Sequence, residues 1–207
     1  YSNANSGQFI HKINSNLTTT QWSSVFGAGT GHVEISPTAF LVSDCYELYI
    51  AGWGGNTNLT NASSSTTSGF PVTSDAYQST TNGSNFYLAL FTQDMLSLKY
   101  ATFIGSLDGN GDHVDGGTSR FDKSGKVYHA VCAACGGDSD GFPTTSGVFS
   151  ETNQSSNCNM AAFLFELSKI EATLSTGNPI TCIPNPTFFE NNSENGDTYQ
   201  WFFGDGG

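Results

Sequence analysis

The chain has 207 residues and carries 6 basic against 18 acidic side chains, which gives a formal net charge of −12. This charge opposes the counterion release on which nucleic-acid binding depends, and it repels anionic lipid surfaces, so neither partner is expected. No apolar run approaches the roughly 20 residues that a membrane-spanning helix needs, so membrane insertion is not expected either.

The composition favours an all-β fold. Charged residues make up 12% of the chain and hydrophobic residues 37%. Ser, Thr and Asn, which favour turns over helix interiors, contribute about a third. Short apolar runs bounded by Gly, Asn, Ser and Pro are typical of strands. The one helix candidate is the apolar stretch 160–174, whose first part an internal repeat assigns to a strand.

Taken in chain order, the sequence divides into repeat units. Residues 1–31 contain the end of one unit, because 8–27 read like 86–105. A complete unit follows at 32–106, and most of another occupies 107–175. In the complete unit we predict four strands, around Phe40–Val42, Leu48–Gly52, Phe86–Phe91 and Lys99–Ile104. Four antiparallel strands form one blade of a β-propeller.

The two longer units share three matching segments. Val42–Tyr49 aligns with Phe121–Tyr128 without a gap, and the word Phe-Pro-Val-Thr-Ser at Phe70 returns as Phe-Pro-Thr-Thr-Ser at Phe142. An alternating run follows each word, at Asn85–Phe91 and at Asn159–Phe165. A repeat of this length indicates a modular architecture rather than an active site.

The repeat resembles the bacterial seven-bladed β-propeller repeat, SBBP. The resemblance is carried by Phe70–Tyr77, the Phe-rich strand after it and Tyr100–Gly105, and it covers roughly residues 7 to 175. The sequence motifs at Asp115–Asp122 and Cys132–Gly137 resemble motifs of very large secreted surface proteins of the Bacteroidetes. Phe70 and Phe142 lie 72 residues apart, whereas propeller repeats usually span about 40–50.

The C-terminal part carries a second resemblance. Asp197–Gly206 is similar to the signature of polycystic-kidney-disease (PKD) domains, which are immunoglobulin-like β-sandwiches, although Phe202 stands where that family usually has Asp. We therefore expect a linker at 176–179 and the start of a PKD-like domain at 180–207. That segment is too short for a sandwich of about 100 residues, so we expect the sequence to be part of a longer chain.

The resemblances imply a non-enzymatic structural or adhesive module of a long, secreted, cell-surface bacterial protein. Such a protein would be a type IX secretion substrate with a role in adhesion, gliding motility or surface assembly. Its partners would be other domains of the same chain, and surface polysaccharide or other surface proteins. The alternative is a secreted propeller protein that binds glycans or degrades polysaccharide. No nucleophile elbow, zinc-protease motif or Walker loop occurs in the sequence.

An acidic loop suggests a calcium site. Asp108, Asn110, Asp112 and Asp115 place oxygen ligands at nearly alternate positions between glycines, as at the start of an EF-hand loop. The Gly and Glu that an EF-hand requires at its sixth and twelfth positions are replaced by His113 and Ser119. The alternative is a solvated turn between blades.

Cysteines and aromatic residues supply the remaining candidates. Five cysteines leave at least one unpaired within the chain, and we expect a disulfide among Cys132, Cys135 and Cys158. A zinc site formed by these three cysteines with His129 is the alternative. Trp22 and Trp53 are candidates for stacking against sugar rings, and their alternative role is packing between blades.

Overall fold

The computed structural model describes residues 1–43, 46–55, 65–108, 111–115, 119–122, 126–136, 141–166, 173–176, 188–193 and 199–202. Within these ranges the chain forms twelve β-strands and no helix, so the predicted all-β class is confirmed. No helix long and apolar enough to cross a membrane occurs among these residues. The chain divides into two compact units, Tyr1–Phe165 and Glu166–Gly207.

The first unit begins with a hairpin. β1 (Gln8–Ile13) pairs antiparallel with β2 (Thr20–Phe26). The register places Gln8 opposite Phe26 and Lys12 opposite Trp22. Because side chains alternate between the two faces of a strand, Ile10, Trp22 and Phe26 come together on the face that packs against the next sheet.

A four-stranded antiparallel sheet follows the hairpin. Its strands lie side by side in chain order, as β3 (Ser36–Val42), β4 (Leu48–Trp53), β5 (Phe86–Phe91) and β6 (Leu98–Ile104). All four strands predicted for the unit 32–106 are present. The sheets of the described residues have two to four strands.

Both faces of this sheet are covered. One face packs against the hairpin through a cluster of apolar side chains, among them Leu48, Ile50, Tyr87, Ala89, Phe91, Ala101 and Phe103. The opposite face contacts a second sheet, through Ala51, Trp53, Phe86, Leu88 and Ile104. The six residues of β5 are therefore all buried, which explains why its sequence is apolar throughout rather than alternating.

The second sheet consists of β7 (Gly111–His113), β8 (Ser119–Phe121), β9 (Lys126–Cys135) and β10 (Asn159–Glu166). The long strand β9 lies in the middle, with β10 on one side. On its other side, the first half of β9 pairs with β8 and the second half with β7. The strand predicted from the repeat at the start of 160–174 is confirmed as β10.

The second sheet has one covered and one open face. Phe163 and Phe165 of β10 contact aromatic rings of the first sheet, and the ring centroids of Phe86 and Phe163 lie 6.0 Å apart. Residues that alternate with them point away, and Met160 is 80% exposed. The sheet thus presents a partly apolar surface on the side opposite the first sheet.

The Phe-Pro word of the complete unit holds the outer edge of β6. The backbone N–H of Thr73 donates to the carbonyl of Ala101 at 3.1 Å, and the N–H of Ala101 donates to Thr73 Oγ1 at the same distance. Further along, the N–H of Phe103 donates to the carbonyl of Gln78 at 3.0 Å. The hydroxyl of Tyr87 also binds the carbonyl of Pro71. The segment therefore satisfies backbone groups that an edge strand would otherwise leave unpaired.

The described residues of the second unit include one small sheet. β11 (Leu174–Thr176) pairs antiparallel with β12 (Phe189–Asn191), with Ser175 opposite Glu190. Residues 177–187, 194–198 and 203–207 lie outside the described ranges. They contain most of the predicted linker and most of the PKD-like segment, so both of these assignments stay predictions.

Candidate metal site

A β-bulge brings two cysteines to one side of β9. Gly111 pairs with Cys135 and His113 with Cys132, so one residue of β7 lies opposite two of β9. Ala134, within the bulge, has a positive φ of 51°. Residues three apart in a regular strand point to opposite faces. The extra residue cancels that alternation, and both Cys132 and Cys135 therefore lie near His113.

Asp112, between the two paired residues of β7, anchors this bulge. Its carboxylate is buried and accepts N–H groups from Ser106 at 2.7 Å and Ala134 at 2.8 Å. The side-chain amide of Asn85 donates to it as well, at 3.3 Å. Burial raises the pKa of Asp112 to about 6, although the three donors favour the charged form. A side chain at Gly105 would collide with Asp112 Oδ2, so the turn after β6 requires glycine here.

His113 lies at the centre of a cluster of potential ligands. The side chain is almost fully buried, and its ring packs against that of Trp53 with centroids 5.6 Å apart. Its Nε2 lies 3.1 Å from Asp115 Oδ2, and its Nδ1 lies 3.4 Å from Cys135 Sγ. Cys132 Sγ lies 3.8 Å from the same Asp115 oxygen.

The cluster therefore has two sides, one for each ring nitrogen. His113, Asp115 and Cys132 form one group of ligand atoms within 4.8 Å of one another. His113, Cys135 and Cys158 form the other group, within the same limit. Each group offers His nitrogen and Cys sulfur, and only the first adds a carboxylate.

Two of the three candidate cysteines are joined. Cys135 and Cys158 form a disulfide that ties the end of β9 to the residue before β10. The Cys132 thiol is free and half-buried. Burial and the neighbouring Asp115 carboxylate raise the pKa of this thiol above its usual value. While the disulfide is intact, Cys132 supplies the available thiol of the cluster.

The acidic side chains predicted to bind calcium are not gathered at one point. Asp108 and Asp115 are exposed, Asp112 is held by the three N–H donors, and Asn110 lies outside the described residues. Among the side chains that the structure places, Asp108 and Asp112 belong to neither ligand group. Calcium binding by this loop stays a prediction.

His129, the histidine of the zinc alternative, belongs to neither ligand group. His129 is buried and lies between the sheets, stacked on Phe163 with centroids 4.9 Å apart and edge-on to Phe86 at 5.5 Å. Burial lowers the pKa of His129 to about 4. His113, which pairs across the strands with Cys132, occupies the position near the sulfurs instead.

His113 is the site residue that the sequence analysis missed. A signal was present, because His113 and Asp115 are two residues apart and so share a side of an extended chain. The proximity of Cys132 to His113 could not be predicted from sequence spacing, because it depends on the register between β7 and β9.

The two tryptophans proposed for sugar stacking pack inside the first unit. Trp53 is only 8% exposed and contacts the second sheet, so it offers no open ring face. Trp22 is half-buried against the first sheet. The structure thus supports their alternative role as packing residues.

A groove of about 540 Å³ lies along β10. It is bordered by residues 142–145 and 148–153, which include most of the second Phe-Pro word, and by residues 159–165 from both faces of the strand. Phe149 and Met160 are its most exposed apolar side chains. A groove of this volume has room for a small ligand.

Comparison with known proteins gives no relative from which a function could be transferred. No protein-family model, curated protein or solved structure matches the chain.

Proposed function

We propose that this chain is a non-enzymatic structural module, built from stacked copies of one repeat, of a long secreted bacterial surface protein. The observation that carries the proposal is the contrast between the covered and the open sheet. The first sheet lies between two layers. In the second sheet, the face that corresponds by the repeat to the Phe86 face of the first sheet is exposed.

The internal alignment makes the contrast specific. Phe86 corresponds to Met160, and their exposed fractions are 0% and 80%. Leu90 corresponds to Leu164, and again the first is buried and the second exposed. Since the second sheet covers the face that contains Phe86, a further copy of the repeat would cover Met160 in the same way.

Such a stack, closed into a ring, is a β-propeller. The resemblance to the SBBP repeat supports this architecture, and the PKD-like segment supports a multidomain surface protein. In that setting the module would act mechanically: rigid β units present loops, and many weak contacts to polysaccharide or surface proteins add through avidity. A type IX secretion substrate with a role in adhesion or gliding is the corresponding biological role.

The two methionines of the chain provide a test of the stacking. Met95 is buried in the apolar cluster between the hairpin and the first sheet, and Met160 lies on the open face of the second sheet. We expect peroxide to oxidise Met160 but not Met95 in the isolated 207-residue chain, as measured by peptide mass spectrometry. In the native protein isolated from its source, both should be protected. Equal oxidation of Met160 in the two samples would contradict the proposal.

One observation keeps glycan recognition as a second candidate, namely the groove beside β10 with the fully exposed Phe149 ring. A polysaccharide array and a hydrolase panel on the 207-residue chain separate the possibilities. Binding that is lost in Phe149→Ala, without turnover, would indicate a lectin role. Turnover of any polysaccharide would contradict a non-enzymatic function.

A further inference from the structure

We propose that His113, Asp115 and Cys132 form a zinc site that coexists with the Cys135–Cys158 disulfide. His113 would bind through Nε2, Asp115 through a carboxylate oxygen and Cys132 through its thiolate, and a water molecule would complete a tetrahedron. The inference is independent of the structural role proposed for the chain, since it concerns only side chains around β7 and β9.

The spacing of the ligand atoms fits zinc. Bonds of 2.0–2.3 Å in a tetrahedron place neighbouring ligand atoms about 3.3–3.8 Å apart. The distances are 3.1 Å from His113 Nε2 to Asp115 Oδ2 and 3.8 Å from that oxygen to Cys132 Sγ. All ligand atoms of the group lie within 4.8 Å of one another, so rotations of these side chains bring them to bonding distance around one ion.

The disulfide orients the histidine for this role. Nδ1 of His113 faces Cys135 Sγ at 3.4 Å, and a disulfide sulfur can only accept a hydrogen bond. When Nε2 gives its lone pair to the ion, the ring proton resides on Nδ1, where the disulfide sulfur accepts it. Metal-bound histidines commonly use their second nitrogen in this way, to fix the tautomer and the ring orientation.

Packing holds two of the ligands in place. The bulge anchored by Asp112 holds Cys132 opposite His113, and the Trp53 ring packs against the imidazole of His113. The Asp115 side chain is 74% exposed, so an ion can reach the site from solvent.

The mixed nitrogen, oxygen and sulfur set suits Zn²⁺, whereas Ca²⁺ prefers oxygen ligands alone.

Cobalt is the probe for the experiment, because a thiolate bound to Co²⁺ gives a charge-transfer band in the near ultraviolet. The chain is purified without reductant, freed of metal with a chelator and titrated with Co²⁺ and then with Zn²⁺. We expect one Co²⁺ per chain with this band, and its loss when Zn²⁺ displaces the cobalt.

Three variants assign the ligands. Cys132→Ser should abolish the band, and a Cys45→Ser, Cys182→Ser double variant should retain it. Asp115→Asn should weaken Zn²⁺ binding at least tenfold, and because Asp115 is exposed this change leaves the core intact. Asp108→Asn is the matched control, since Asp108 is an exposed carboxylate outside both ligand groups, and its affinity should equal that of the wild type.

Three outcomes would overturn the proposal. The first is a band that persists in Cys132→Ser. The second is cobalt binding that appears only after the disulfide is reduced, which would assign the metal to Nδ1, Cys135 and Cys158. The third is an equal loss of affinity in Asp108→Asn and Asp115→Asn, which would indicate a diffuse acidic loop.

Discussion

The first sheet, β3–β6, and the second sheet, β7–β10, contain corresponding segments of one repeat but have different surroundings. The first is covered by the hairpin on one face and by the second sheet on the other. The second is covered on one face, and it carries the disulfide and the bulge around His113. Burial in this chain therefore depends on which layers surround a strand as much as on the strand's own sequence.

The largest test of this contrast replaces two residues that correspond in the alignment. Phe86→Ala should lower the free energy of unfolding by about 3–5 kcal/mol, because it leaves a cavity between the sheets. Met160→Ala should change it by less than about 0.5 kcal/mol, because Met160 is exposed. Urea unfolding followed by tryptophan fluorescence measures both. Equal losses would show that β10 is covered and the contrast is incorrect.

The second test concerns the disulfide of the second sheet. Cys135 and Cys158 are 23 residues apart, and the closure of a loop of this length stabilises a fold by about 3 kcal/mol. Replacing both by Ser should lower the unfolding free energy by that amount, as measured by urea denaturation without reductant. The same variant should be unaffected when reductant is added, and a further loss there would point to another disulfide.

The third test uses pH, because one of two buried residues that correspond in the repeat is ionisable. His129 corresponds to Ile50 in the alignment, and both are buried. The pKa of His129 is lowered to about 4, so below pH 6.5 the unfolded chain binds a proton that the folded chain does not. Stability is therefore lost as the pH falls from 6.5 to about 4.

This loss should be about 2 kcal/mol at pH 5, relative to a His129→Gln variant whose residue does not titrate. The measurement is the difference in unfolding free energy between the two proteins at pH 7 and pH 5. A difference that does not change with pH would mean that His129 is accessible to protons in the folded state.

The smallest test compares the two Phe-Pro words. Thr73 binds the edge of β6 through its hydroxyl and its backbone, whereas the corresponding Thr145 is exposed beside the groove. Thr73→Val should cost about 1 kcal/mol, through the loss of the hydroxyl's hydrogen bonds. Thr145→Val should have an effect within about 0.5 kcal/mol. Thermal unfolding of both variants gives the comparison, and a larger effect at Thr145 would reverse it.

Much of the fold could be predicted because the repeat supplied information that composition alone lacks. The apolar stretch after Asn159 is compatible with a helix or a strand, and its alignment with Asn85–Phe91 correctly favours a strand. The all-apolar sequence of β5 similarly indicates a strand buried on both faces.

The site was harder to predict because its geometry depends on an irregularity. In a regular strand, Cys132 and Cys135 would point to opposite faces. The sequence contains no pattern that predicts the bulge at Ala134. The buried Asp112 was also assigned to a calcium loop, since sequence spacing does not show which carboxylates are already bound to N–H groups.

The complete burial of β5 has a consequence for how the repeat can change during evolution. None of its six residues faces solvent, so every substitution there must preserve volume and apolar character. Alternate positions of the corresponding strand β10 are exposed in this chain, and a further copy of the repeat would bury them too. Copies of the repeat that are covered on both faces should therefore diverge slowly at this strand.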